Sequence, residues 1–200
     1  MFNLKPTRGF GLLENFLAHQ RTKMANKLIP ISLREGRVLD IGCGTIPTFL
    51  LKVQFKEKFG LDSSLKKDEY NENINLALFD IKKGEPLPFN DDFFNVVVML
   101  AVLEHLESDK VEFILGEVKR VLKKGGRFIL TTPSPWADGL LKLMSKLRLV
   151  SPDEIKDHKG KDNYYRIMDN LQRIGFKQAD IRKGSFEFFL NNWVYADKSY

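Results

Sequence analysis

Two hundred residues with 43% hydrophobic content suffice for one sizeable core, so a single domain spanning residues 1–200 is the default. No apolar run approaches the roughly 18 residues of a membrane span, the longest covering residues 93–103, and one cysteine excludes both a disulfide framework and a multi-cysteine metal site. The 32 Lys and Arg against 26 Asp and Glu give a formal charge of +6, but the basic residues are scattered in pairs such as Lys66-Lys67, Lys82-Lys83 and Lys123-Lys124. Scatter of that kind reads as solvated surface and makes nucleic acid an unlikely partner. The first residues lack an apolar signal core with a small-residue cleavage site, so the expectation is a cytoplasmic protein with no membrane span and no bound metal.

In chain order, residues 10–28 place Phe10, Leu13, Phe16, Leu17, Met24 and Leu28 at mainly three- and four-residue spacings, an amphipathic helix ended by Pro30. Such a stripe packs on the domain or covers its pocket, a membrane surface being the alternative. Residues 38–41 read as a first strand, followed by a glycine turn at Gly42 and Gly44 and a short helix from Pro47, a residue suited to a first helical position. A second strand ends at Asp62 and a third, residues 74–79, at Asp80. Ligands of open α/β sheets gather beyond the carboxyl ends of the strands, so Asp40, Asp62 and Asp80 are expected to face one crevice. Taken singly, each could instead be a solvated turn former.

Residues 82–92 form a loop in which Pro86 and Pro88 bracket Leu87, and residues 94–100, FNVVVML, suit a central strand buried on both faces. Asp109 and Glu112 resemble a capping box for a helix carrying Val111, Ile114, Leu115, Val118 and Leu122, with Lys123, Lys124, Gly125 and Gly126 as its stop. Residues 127–132 are the fifth strand. Beyond Pro133 the pattern predicts a helix over 136–149, a shorter one from Ser151, a charged stretch over 157–163 and a helix carrying Tyr164, Ile167, Met168, Leu171 and Ile174 that stops at Gly175. Residues 176–181 and 185–194 read as two closing strands around a tight turn at Arg182, Lys183 and Gly184.

A strand, glycine turn, helix and second carboxylate also suit a nicotinamide-binding domain, but its fingerprint requires a third glycine where Pro47 stands. Asp40-Ile41-Gly42-Cys43-Gly44, the strand ends at Asp62 and Asp80, the PLPF loop, FNVVVMLAVLEHL and LKKGGRFILTTPSP together resemble the class I S-adenosylmethionine-dependent methyltransferases. The similarity is closest to the small-molecule branch that includes the quinone-biosynthesis enzymes, and it covers residues 38–133 well and the flanks weakly. It implies a Rossmann-like three-layer α/β sandwich: a mostly parallel seven-stranded sheet, an antiparallel last strand, and helices on both faces. Residues 1–30 would form an N-terminal helical cap and residues 133–165 a helical insertion over the acceptor pocket.

The resemblance also implies roles. Asp40, Gly42 and Gly44 would line the methionine end of S-adenosylmethionine, Asp62 would accept from its ribose hydroxyls, Asp80 and the Ile81 amide would meet its adenine, Leu100 and Ala101 would pass close to the methionine portion, and Cys43 and Ser63 would also belong to the cofactor site. S-adenosylhomocysteine would be the product. The sequence departs from D-x-G-x-G-x-G at Ile46, a β-branched residue ill suited to positive φ, so either the turn enters its helix by another path or the cofactor sits slightly differently. Cys43 reads as a small residue in a tight turn, with no cationic neighbour in sequence to activate its thiol.

Methyl transfer from a sulfonium is an in-line displacement, so alignment and exclusion of water dominate, with a base added for a weakly nucleophilic hydroxyl. His105, just beyond the fourth strand, is the best-placed imidazole; its other reading is a helix-start histidine bonded to backbone. Trp136, His158, Tyr164 and Tyr165, with His105, are candidates for the small-molecule acceptor pocket, and His19 for the surface. The sequence expectation is thus a transferase acting on oxygen, nitrogen or carbon of a small molecule. A SAM-binding protein without catalysis and an RNA methyltransferase are the alternatives.

Overall fold

A computed structural model describes residues 14–66, 69–71, 73–134, 164–186 and 190–200. Its strands are β1 (Arg37–Ile41), β2 (Glu57–Asp62), β3 (Glu69–Asn71), β4 (Ile74–Leu78), β5 (Phe94–Leu100), β6 (Leu122–Pro133), β7 (Ile181–Phe186) and β8 (Asn191–Asp197). Its α-helices are α1 (Glu14–Leu28), α2 (Thr48–Lys52), α3 (Ser108–Val121) and α4 (Tyr164–Arg173). The strands make one sheet in the order β3-β4-β2-β1-β5-β6-β8-β7. From β4 to β6 neighbouring strands are parallel, and β8 runs antiparallel to both β6 and β7. The expected mostly parallel sheet with its antiparallel last strand is therefore present, and β3 adds a short antiparallel strand outside β4.

Burial explains the apolar runs. Phe94, Val96, Val97, Val98 and Met99 of β5 are fully buried, as parallel strands covered on both faces require. On one face Leu39, Ile41, Val97, Met99, Phe128 and Leu130 pack with Val111, Ile114, Leu115 and Val118 of α3 and Ile167 and Leu171 of α4. On the other, Val38, Val96, Val98 and Ile129 pack with Phe49 and Leu50 of α2 and with Ala25 and Ile29. α4 stops at Gly175 in a left-handed turn (φ +91°). The Phe176 amide reaches back to the Leu171 carbonyl and the Gly175 amide to that of Gln172, a Schellman closure. Among the described residues, no helix is long and apolar enough to cross a membrane.

The loop before β5 is fastened to α3. Arg120 donates to the carbonyls of Leu87 (3.0 Å) and Phe89 (2.8 Å) and pairs with Glu117 (2.7 Å), which accepts the Leu87 amide (2.7 Å). These bonds hold the Glu117 carboxyl below its usual range, chiefly through Arg120.

Four local expectations are corrected. The face of α1 that meets the sheet carries Leu28 of the predicted stripe together with Thr22 and Ala25, small residues that admit close approach, whereas Phe16 of that stripe is 54% exposed. α3 takes Glu107 as its N-cap with no side-chain capping hydrogen bond, so Asp109 serves the first turn and no capping box forms. The helix ends at Val121, before the glycine pair. Leu122 pairs with Phe94 and Arg127 with Val96, so residues 123–126 bulge from β6; a Cβ on Gly126 would lie 2.9 Å from the Asn95 carbonyl. Finally, Arg182, Lys183 and Gly184 lie inside β7 rather than in a turn. Gly184 is extended there, and a Cβ on it would stand 2.5 Å from Trp193, so the indole rather than a turn requires glycine. The predicted segments over 136–149 and 151–163 lie outside the described residues.

Candidate functional site

The strand order places the site. β2 and β4 lie on one side of β1 and β5 on the other, so chain direction across the sheet reverses between β1 and β5. Register sets Ile41 opposite Leu61 and Met99, and Asp62 opposite Leu78. Asp40, Asp62 and Asp80 consequently stand at the carboxyl ends of three adjacent parallel strands, beside the topological switch point where such sheets open a crevice.

The glycine turn is built from β1 and β2 together. The Gly42 and Cys43 amides both donate to the Leu61 carbonyl, at 2.7 and 3.2 Å. Gly42 (φ +80°) and Gly44 (φ +73°) take left-handed backbone, and a Cβ on Gly42 would meet Val102 Cγ2 at 2.4 Å. Val102 is a packing partner that the sequence did not reveal, because it lies beyond β5 and only the fold brings it to the turn. Pro47 is the N-cap of α2, not its first residue. Its φ of −75° and ψ of 68°, with the Thr48 amide 2.7 Å from the Ile46 carbonyl, make an inverse γ-turn. Ile46 is not among the residues with positive φ. The chain enters α2 through Pro47, with no third glycine.

Asp62 accepts the Gly44 amide on Oδ2 (2.9 Å) and the Ser64 amide on Oδ1 (2.7 Å). Two backbone donors pin the carboxylate while each oxygen keeps a second lone pair for an incoming hydroxyl. This is the feature by which the residues fit a ribose-bearing cofactor. Ser63 is exposed in the turn that follows. Asp80 accepts the Lys82 amide (3.0 Å) and caps the 3-10 turn Ile81–Lys83, again with one oxygen engaged and one available.

Asp40 differs. It is 3% exposed, and burial first, then the charge of Asp62, raises its pKa from 3.8 to about 8. A buried acceptor that ionises only with difficulty suits a cationic group that restores its charge. The Cys43 thiol is pushed upward by burial and by Asp40 and Asp62, which leaves it a packed side chain against Gly60 and no nucleophile.

Across the switch point, Leu100 ends β5 and Ala101 has φ +58°, uncommon for a residue with a Cβ; its amide is tied to the Thr131 carbonyl at 3.0 Å. His105 closes the 3-10 turn Leu103–His105 half-buried, its amide donating to the Val102 carbonyl. The fold thus brings Asp40, Gly42, Cys43, Gly44, Asp62, Ser63, Asp80, Ile81, Leu100 and Ala101 to the ends of four adjacent strands, with His105 following β5. Tyr164 and Tyr165 open α4, while Trp136 and His158 lie outside the described residues. His19 is exposed and its Nδ1 contacts Lys52 Nζ. Also missed was a group of buried polar residues at the end of β6 and the start of β8: Thr131, Thr132, Ser134, Asn191 and Asn192. Their one signal was the change from Phe-Ile-Leu to Thr-Thr-Pro-Ser along β6.

A family model described as a methyltransferase domain matches residues 39–130. Over 162 residues the chain is 30% identical to the uncharacterised protein MJ1123 of Methanocaldococcus jannaschii, covering 76% of this chain and 70% of that one. It is 27% identical to the uncharacterised methyltransferase YcgJ of Bacillus subtilis, covering 80% of this chain and 64% of YcgJ. With the tRNA N(3)-cytidine methyltransferase METTL2 of Gallus gallus it shares 26% identity, over 84% of this chain and 48% of the relative. Among solved structures, a SAM-dependent methyltransferase of Thermotoga maritima, possibly a histamine N-methyltransferase, superposes with a TM-score of 0.68 at 17% identity, covering 94% of this chain and 92% of that one. Phosphoethanolamine N-methyltransferase 2 of Haemonchus contortus, in complex with S-adenosylmethionine, gives 0.64 at 16% identity, over 91% of this chain and 53% of that chain. At these identities the structural likeness is one of fold.

Proposed function

The chain belongs to the class I S-adenosylmethionine-dependent methyltransferases, and on that premise we propose that it methylates a small molecule at oxygen, nitrogen or carbon in the cytoplasm. The observation that carries the site is the alignment of Asp40, Asp62 and Asp80 at adjacent strand ends, with Asp62 bonded to the Gly44 amide. S-adenosylmethionine, when bound, supplies an electrophilic methyl group on a sulfonium. Asp40 and the turn at Gly42, Cys43 and Gly44 would hold its methionine end, Asp62 and Ser63 the ribose, and Asp80 and Ile81 the adenine. Leu100 and Ala101 would flank the methionine portion. His105 would accept the proton of a hydroxyl or amine acceptor at its imidazole.

Residues 133–165 would close over the acceptor and exclude water. They leave from the carboxyl end of β6 and return at α4. Residues 1–30 would cap the same end. Arg127, at the amino end of the regular part of β6, holds the Leu28 carbonyl at 2.6 Å and anchors the end of α1 there.

Calorimetry with S-adenosylhomocysteine, followed by turnover of methyl-labelled S-adenosylmethionine with a small-molecule extract, tests this reading. Binding and label transfer are expected, with transfer lost and binding kept in His105→Ala. A parent protein that does not bind S-adenosylhomocysteine ends the proposal. Binding without transfer favours a cofactor-binding regulator. Labelling of RNA, with RNA affinity falling steeply as salt rises, favours the nucleic-acid acceptor that the avian relative's name suggests.

A further inference from the structure

Across β6, β8 and β7, the side chains on the α3 and α4 face fall into registered rows. Phe128, Ala196 and Ile181 form one row; Leu130 and Val194 lead the next, with Lys183 exposed at its edge. One step further toward the crevice the row becomes Thr132, Asn192 and Ser185, and Ser134 follows along β6. Ser185 is exposed at the sheet edge, but elsewhere this change of chemistry does not come with exposure. Thr132 is 7%, Asn192 8% and Ser134 3% exposed, and the adjoining Asn191 is 6% exposed.

The group is only partly satisfied from within. Ser185 donates to Asn192 Oδ1 at 2.9 Å, which leaves the amide nitrogen of Asn192 to donate elsewhere. The Ser134 amide continues the β6–β8 pairing to the Leu190 carbonyl at 2.9 Å, yet Ser134 Oγ has no hydrogen-bond partner among the described residues. A buried hydroxyl without a partner is destabilising, and an apolar side chain would have extended the core below it. The polar row starts one strand from Leu100, whose register partner is Thr131. His105 leaves β5 between Leu103 and Leu106, both packed in the core on this same face. The row and the turn that carries His105 therefore lie at the same end of the sheet.

We propose that Thr132, Ser134 and Asn192, which share one face of the sheet, form the wall that binds the methyl acceptor, and that this acceptor is uncharged and presents hydrogen-bonding groups such as a hydroxyl or carbonyl. The proposal rests on the methyl-transfer reading. Hydroxyl and amide groups exchange hydrogen bonds with such a molecule, and among the described residues the row holds no charged side chain to offset a buried ion. A polar wall of this kind also discriminates, because an acceptor lacking the matching group leaves Ser134 Oγ buried and unpaired.

The test uses methyl-labelled S-adenosylmethionine with the fraction of a small-molecule extract that passes both cation and anion exchangers, beside the two retained fractions. Label is expected in the neutral fraction. Ser134→Ala should raise the acceptor Michaelis constant about tenfold, with kcat and S-adenosylhomocysteine affinity kept and the melting temperature unchanged or higher. Asn192→Leu, which keeps the branching of the side chain and removes the amide, should give the same split. Label confined to the charged fractions, or Michaelis constants unchanged in both variants, overturns the assignment of this wall alone. A parent protein that binds S-adenosylhomocysteine but labels no fraction overturns the methyl-transfer reading, and this inference with it.

Discussion

Asp62 and Gly44 meet through Oδ2 and the backbone amide at 2.9 Å, a bond that ties the end of β2 to the turn after β1. One carboxylate thus serves both as the expected ribose acceptor and as the brace of the glycine turn. Asp62→Ala removes both functions and should weaken S-adenosylhomocysteine binding by about 1 to 3 kcal/mol in calorimetry, the range for a lost charge-assisted contact. Asp62→Asn keeps an oxygen for one amide and should lose less. Full affinity in Asp62→Ala would remove this residue from the cofactor site.

Asp40 makes the protein's behaviour depend on pH. Its folded pKa of about 8 lies above the usual 3.8, so its contribution to stability is complete at low pH and is lost as pH rises through that window. Asp40→Asn abolishes the dependence: the variant should melt above the parent at about pH 9, with the gap closing at about pH 4. A ligand ammonium set against the carboxylate lowers its pKa, so binding near neutrality should expel a proton. Calorimetry of S-adenosylhomocysteine in two buffers of different ionisation enthalpy reads that proton, and Asp40→Asn should show none. No release by the parent would place the ligand's amine elsewhere.

Gly42 is constrained twice, by φ +80° and by Val102 Cγ2 at 2.4 Å from a would-be Cβ. The left-handed backbone alone costs a Cβ-bearing residue about 1 to 2 kcal/mol, and the clash adds to it. Gly42→Ala should lower the melting temperature and abolish cofactor binding, whereas the Gly42→Ala, Val102→Ala pair should recover part of the stability by removing the obstructing methyl. Equal melting of the single and double variants would show that Val102 does not set the constraint.

The parts of this fold written in the sequence are those where one chemical demand dominates. The run at residues 94–100 is apolar because both faces of β5 are covered, and Asp40, Asp62 and Asp80 were legible because each breaks an apolar run. Where two demands compete, the pattern misled. Lys123, Lys124, Gly125 and Gly126 have the composition of a helix stop, but Gly126 answers to the Asn95 carbonyl in a bulge. Gly184 has the look of a hairpin turn but answers to Trp193. The sheet-facing side of α1 includes the small residues Thr22 and Ala25, which a periodicity read from large apolar residues passes over in favour of the exposed Phe16. The polar row at Thr132 and Asn192 needed the β6–β8 register before its members could be seen as neighbours.

Ile46 stands where the family pattern has its third glycine, and the geometry indicates that the substitution is accommodated. The inverse γ-turn at Pro47 redirects the backbone over a single residue, with the Thr48 amide 2.7 Å from the Ile46 carbonyl, so Ile46 keeps negative φ. Proline's fixed φ matches the −75° this turn uses, and Pro47 is buried. Restoring the glycine therefore gains nothing. Ile46→Gly should leave S-adenosylhomocysteine affinity within about threefold of the parent. It should also lower stability by about 1 to 2 kcal/mol through added unfolded-state freedom and lost packing of a half-buried side chain. Pro47→Ala frees the turn and should weaken both stability and binding. A tenfold or greater affinity gain in Ile46→Gly, measured by calorimetry, would show instead that the turn is strained by its isoleucine and that Pro47 does not relieve it.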